Sequence, residues 1–225
     1  MLDYKRYKEE DPLKRIVEKD SGGQELSPME PPVIADESVE PENYKKYHQC
    51  LKQLTNENKE FSEKLKVFEN AITFFKQNGL QKQDEIKDSI NNFFALIDNT
   101  VIPHNRQEEK TLFHLLNKRL KTKEIYASTD TQNTVVDIME DDHSKLIQLS
   151  ALAFNFFGLA SRLTDQNSRL IVLDLAIEQS MALIELLRLH MYREDHIVFD
   201  LAQQNLTKDE LTEIKQQMAK IDSPA

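Results

Sequence analysis

Between Pro41 and Pro224 the chain carries one proline, Pro103, and the four glycines of the whole sequence stand at positions 22, 23, 79 and 158. A chain with so few breakers is free to run as long helices. The apolar residues say that it does. Tyr47, Leu51, Leu54, Asn58, Phe61, Leu65, Phe68, Ile72 and Phe75 recur at alternating four- and three-residue spacing. That period places them on one helical face, a seam for packing against other helices. One member, Asn58, is polar. An amide inside an apolar seam needs a partner, because an unpaired buried amide is costly.

Read in order, the pattern predicts an all-α protein. The expected architecture is an up-down four-helix bundle with an N-terminal tail and a short C-terminal helix. Helix 1 is expected over about 41–78, ending near Gly79. Helix 2 is expected over about 83–121, with Pro103 kinking it. A loop over 122–133 leads to helix 3 over about 134–163 and helix 4 over about 165–205. The final short helix starts at Thr207, where Thr207 and Glu210 form a capping box and Leu211, Ile214 and Met218 give one apolar face. The boundaries are therefore 1–43 for an acidic, proline-containing tail or linker, 44–205 for the bundle, and 206–225 for the last helix and end.

The tail holds twelve acids and six bases, with Pro28, Pro31, Pro32 and Pro41. This composition is that of a linker, although Leu13, Ile16 and Val17 give residues 3–19 a weak helical stripe. The whole chain has a formal charge of −10. Without a basic cluster in sequence, it is not expected to bind nucleic acid or an anionic membrane. No apolar run is long enough to span a bilayer, and the first residues lack the apolar core of a secretory signal. The single cysteine, Cys50, excludes an internal disulfide framework and points to a cytoplasmic location.

Two stretches stand out. His104-Asn105-Arg106-Gln107-Glu108-Glu109 continues to Leu112, Phe113 and Leu115. His190-Met191-Tyr192-Arg193-Glu194-Asp195 continues to Val198, Phe199 and Leu201. Both read His, Glu four residues on, a second acid at five, an apolar residue at eight, Phe at nine and Leu at eleven. Residues four apart share a helix face, so each stretch offers an imidazole and a carboxylate in one direction. Such a set suits iron, manganese or zinc. An ordinary ion pair would explain one such pair, and the repetition favours ligation. The repeat extends further at an offset of 85 to 86 residues. Asn58 precedes His104 by 46 residues, and His143 precedes His190 by 47. Each follows an acid, Glu57 or Asp142, and each interrupts an apolar stripe. The complete pattern would hold four histidines and two glutamates, and this chain has five of the six. Glu109 and Asp195 turn about 100° from the preceding acid. They are either surface groups or acceptors for a ligand's free imidazole N–H. His114 and His196 are read as surface or rim residues and Cys50 as a packing or surface residue. His48 lies about 15 Å along the helix from Asn58, too far to replace it.

Over residues 44–205 the arrangement resembles the hemerythrin-like, HHE cation-binding family, most closely at HNRQEEKTLFHLL (104–116) and HMYREDHIVFDLA (190–202). The resemblance implies a bundle holding non-haem iron as a pair of ions. His104, His143 and His190 would be terminal ligands, Glu108 and Glu194 bridging carboxylates, and Asn58 would stand where the family has a histidine. An amide oxygen is the poorer partner for iron, so the expectation is an asymmetric di-iron site, with a mono-iron site as the lesser form and the ion at His190 as the weaker one. The implied function is binding or sensing of O₂ or NO, with Phe61, Leu65, Leu112, Leu146 and Ile197 as walls. The alternatives are an iron-dependent enzyme of nitric oxide detoxification or iron–sulfur repair, and a metal-poor bundle that serves protein interaction. No nucleophile or separate acid–base constellation appears, and whether the chain is an enzyme stays open.

Overall fold

The computed structural model describes residues 41, 43–78, 83–127 and 132–221. The expectations for the acidic tail, including the stripe over 3–19, lie outside these residues. All regular structure among the described residues is helical. After a 3-10 turn at Tyr44–Lys46, α1 spans Gln49–Asn78 and α2 spans 83–122. Then come α3 (Val135–Arg162), α4 (166–205) and α5 (Lys208–Ile221). The most extensive contact is between α3 and α4, with α1 against α2 and against α4, and the end of α2 against α3 and α4.

Local chemistry sets the helix starts. Thr134 accepts from the backbone N–H of Asp137 while Asp137 accepts from that of Thr134, a capping box opening α3. Asp165 accepts from Ser168 N–H to open α4. The expected box at Thr207 and Glu210 is present, with Thr207 N–H donating to Glu210 at 2.7 Å. Each such bond satisfies a backbone donor that the helix itself leaves unpaired.

Helix 1 starts eight residues later than expected, at Gln49. Tyr47 is extended rather than helical, because distant partners hold this segment. The Tyr47 hydroxyl lies 2.6 Å from an Asp200 carboxylate oxygen and 3.1 Å from the Asp195 carbonyl. The His48 N–H donates to Gln203 at 2.7 Å.

Helices α2 and α4 are not uniform. Five-residue π-turns interrupt α2 at Ile97–Val101 and Glu109–Phe113, and α4 at Glu194–Val198. The expected effect of Pro103 is borne by the first of these. The proline falls in the opening turn of the α-segment Ile102–Glu108, where its missing N–H costs little, and the wider turn lies just before it. Of the other two, one starts just after Glu108 and the other at Glu194 itself.

The seam read from α1 is buried along its length, from Leu51 at 0% exposure to Phe75 at 5%. Beyond Asn58 it joins Phe93, Ile97, Leu146, Ile184 and Leu187 in one cluster. Before Asn58 the core passes to Phe113, Leu116, Met139 and Phe199, and α5 covers it with Leu211, Ile214 and Met218. The Phe68 ring stacks on Phe93 with centroids 3.7 Å apart. Phe68→Ala removes a ring that is 1% exposed. It should cost about 3–5 kcal/mol in denaturant unfolding, whereas Val67→Ala next door, on the solvent side, should cost little.

Candidate metal centre

Midway along the helices the apolar packing gives way to polar residues. Asn58 on α1, His104 and Glu108 on α2, His143 on α3, and His190 and Glu194 on α4 are each 7% exposed or less. The structure thus brings all five predicted ligands and Asn58 inside the fold. Glu108, His143, His190 and Glu194 each offer one ligand atom within 4.8 Å of the others, a buried group that can hold a metal ion.

The two carboxylates face in two directions each. One oxygen of Glu108 lies 3.6 Å from His104 Nε2, and the other lies 3.8 Å from His143 Nε2. One oxygen of Glu194 lies 2.9 Å from His190 Nε2. Its other oxygen accepts from the Asn58 amide N–H at 2.9 Å. His143 and His190 are neighbours, with ring centroids 4.8 Å apart. His190 thus shares its side of the cluster with His143, and the Asn58 amide faces the acids of the same stretch, Glu194 and Asp195.

The outer nitrogens explain the orientation of the rings. His104 Nδ1 lies 2.7 Å from Glu57, and His143 Nδ1 lies 2.7 Å from Glu109. A carboxylate can only accept, so Nδ1 carries the proton in both rings. The lone pair of Nε2 is then turned inward, the state a metal ligand needs. Asp195 accepts from Asn58 at 3.3 Å. The fourth acid, Asp142, lies 3.9 Å from His190 Nδ1 and accepts from Arg193 at 2.8 Å through the same oxygen. Glu109 and Asp195 are therefore partners of the site rather than idle surface acids. In the sequence Glu57 and Asp142 stand out only as the acids before Asn58 and His143, and nothing there marks Arg193. The signal was available in the repeat, since each half pairs an acid before the Asn/His position with an acid after the glutamate.

Inside this ring, several buried polar atoms have no hydrogen-bond partner: Asn58 Oδ1, both oxygens of Glu108, Glu194 Oε1, the Nε2 atoms of His104 and His143, and both nitrogens of His190. His190 Nε2 and Glu194 Oε1 are close but not aligned as donor and acceptor. Buried polar groups are normally satisfied, and so many orphans at one place are what ligands for a cation look like without it. The donor set of imidazole and carboxylate fits a first-row divalent ion.

The charges agree. Burial first, then the Glu194 and nearby acid charges, push the Glu108 carboxyl well above the usual carboxylate range. Burial would also raise Glu194, but the His190 charge 2.9 Å away outweighs this and holds it low. Burial would lower His190, yet Glu194 and Asp142 raise it to about 9. Burial and His190 lower His143. A proton on His190 thus supplies some of the positive charge that the carboxylates demand.

Around the cluster, Phe61 meets the His104 ring edge-on at 5.1 Å and Phe113 stacks on His143 at 5.6 Å. Leu65, Leu112 and Leu146 are buried, while Ile197 is half-buried. His114 is exposed and His196 half-buried against Tyr192, as expected of rim residues. Cys50 is fully buried. Glu109→Gln keeps the shape but weakens the acceptor on His143. Metal affinity measured by competition with a chelator should fall about 10–100-fold, with little change in helicity.

No protein-family model, curated protein or solved structure matches the chain. No described helix is long and apolar enough to cross a membrane.

Proposed function

We propose that α1–α4 form an up-down four-helix bundle of the hemerythrin-like kind, and that the chain binds non-haem iron there to bind or sense O₂ or NO. The observation that carries this reading is the disposition of Glu108, whose two oxygens open towards two different imidazoles, His104 and His143, in a buried setting. That is the arrangement a carboxylate shared by two ions requires. The packing of α1 on α2 and α4, and of α3 on α2 and α4, supports the bundle.

On this reading His143, His190, Glu108 and Glu194 hold the stronger ion. His104 and the remaining carboxylate oxygens serve a weaker one, because Asn58 donates a hydrogen bond where a histidine would ligate. When bound, iron supplies an open coordination position for a diatomic ligand. The protein residues keep that position dry with Phe61, Leu65 and Leu146. Through Glu57 and Glu109 they hold two imidazoles in the ligating tautomer. Histidines are as prominent as carboxylates here, unlike the carboxylate-rich bundles that activate oxygen, which favours reversible binding over oxidation.

The test is anaerobic loading with Fe(II), followed by exposure to O₂ or to NO and an absorption spectrum. Charge-transfer bands in the near-ultraviolet and visible are expected. A chain that stays colourless and iron-free overturns the reading and leaves a metal-poor bundle. Sustained catalytic consumption of NO would replace binding with the enzymatic alternative.

A further inference from the structure

Away from the metal centre, the start of α1 and the face of α5 enclose a cleft of about 820 Å³. Its size is in the range of small-molecule sites, roughly 300–1,000 Å³. Lys46, Lys208 and Lys215 all line it, together with His48, Gln203 and Thr212, and no acidic residue does. In a chain of net charge −10 with 39 acids, this is a local reversal of sign.

The lysines are not neutralised from within. The Lys46 ammonium donates to the amide oxygen of Asn43 at 3.2 Å, and the Lys215 ammonium donates to that of Gln49. Among the described residues, no carboxylate pairs with any of the three. Lys208 and Lys215 are seven residues apart, two helical turns, and so share one face of α5. Lys46 approaches from the segment before α1.

The walls are fixed. The His48 N–H is held by Gln203, and His48 Nδ1 lies 3.4 Å from the Cys50 N–H, from which it accepts. Its Nε2–H therefore faces Thr212 Oγ1, 3.4 Å away, whose own hydrogen goes to the Lys208 carbonyl at 2.8 Å. Burial, then the Lys215 and Lys208 charges, lower the His48 pKa, so the ring lends shape rather than charge.

We propose that this cleft binds a small phosphate-bearing molecule, held by the three ammonium groups. Phosphate rather than carboxylate is favoured because the cations are compact ammonium charges, with no arginine fork to grip a planar carboxylate in two places. A small molecule is favoured over nucleic acid or a membrane surface because these three lysines line a cleft rather than an extended basic face, in a chain of net charge −10.

The experiment is isothermal titration of the full-length chain with inorganic pyrophosphate in low-salt, phosphate-free buffer. Adenosine and adenosine diphosphate are compared, as are vesicles of phosphatidylcholine with and without phosphatidylserine. Saturable binding of pyrophosphate and adenosine diphosphate, but not adenosine, is expected, and it should weaken as salt rises. Lys208→Gln with Lys215→Gln should weaken it at least tenfold, while the corresponding arginine pair retains it. A chelator that strips divalent metal should leave pyrophosphate binding by the native chain unchanged. Loss of binding under chelator would trace the signal to bound metal and overturn the proposal. So would absence of pyrophosphate binding, equal binding by the glutamine pair, or binding to phosphatidylserine vesicles alone.

Discussion

Replacing Glu108 by leucine should give a metal-free chain that melts higher than the native one and gains nothing when metal is added. Glu108 is 0% exposed and neither carboxylate oxygen has a hydrogen-bond partner. Without a cation it is a buried acid beside a second buried acid. A buried polar group without a partner carries a desolvation penalty of about 1–3 kcal/mol, which an apolar side chain of similar volume removes. For a domain of this size each kcal/mol moves Tm by about 2–4 °C. The native chain should show the opposite response to metal. A ligand present at a hundred times its Kd adds about 2.7 kcal/mol to the folded state. Thermal melts of both chains, with chelator and with Fe(II), should therefore cross. A Glu108→Leu chain that is less stable under chelator, or that still gains from metal, would show that Glu108 serves packing or an ion pair instead.

If the site holds two ions as proposed, Asn58→His should add a sixth ligand and tighten the weaker of them. The site is prepared for it. Asn58 is 2% exposed and its amide N–H groups face Glu194 at 2.9 Å and Asp195 at 3.3 Å. A histidine there gains Asp195 as the acceptor for its outer N–H, in the way His104 has Glu57 and His143 has Glu109. It also frees the second oxygen of Glu194. Iron retained after desalting should rise towards two per chain. The affinity gained by the weaker ion should be at least the roughly 10–100-fold that loss of an outer partner costs. Unchanged iron content in a folded Asn58→His chain would mean that the second position cannot be completed.

The helices were legible because breakers are few and the stripes are long. The buried cluster of histidines and glutamates was legible because the motif occurs twice. The π-turns were not predicted, although a trace of them is present. His104, Glu108, Leu112, Leu116 and Leu120 are all buried at strict four-residue spacing, as are His190, Glu194, Val198, Ala202 and Leu206. An α-helix advances about 100° per residue, so such a run drifts about 160° over four steps. One inserted residue takes up about 100° of that, and each π-turn supplies it beside the ligands. The late start of α1 was illegible, because Tyr47 and His48 are fixed by Asp200 and Gln203, far along the chain. The basic cleft was hidden for the same reason, its lysines lying on segments that only the fold brings together.

One cation held in common by buried imidazoles and carboxylates from separate helices is the centre of the proposed function. Its most direct measurement is an anaerobic calorimetric titration of Fe(II) into the native full-length chain and into the His143→Ala, His190→Ala double variant. The native chain should bind an ion tightly and the double variant should not, with both folded by circular dichroism. A native chain that takes up no ion, or a double variant that binds as tightly, would contradict it.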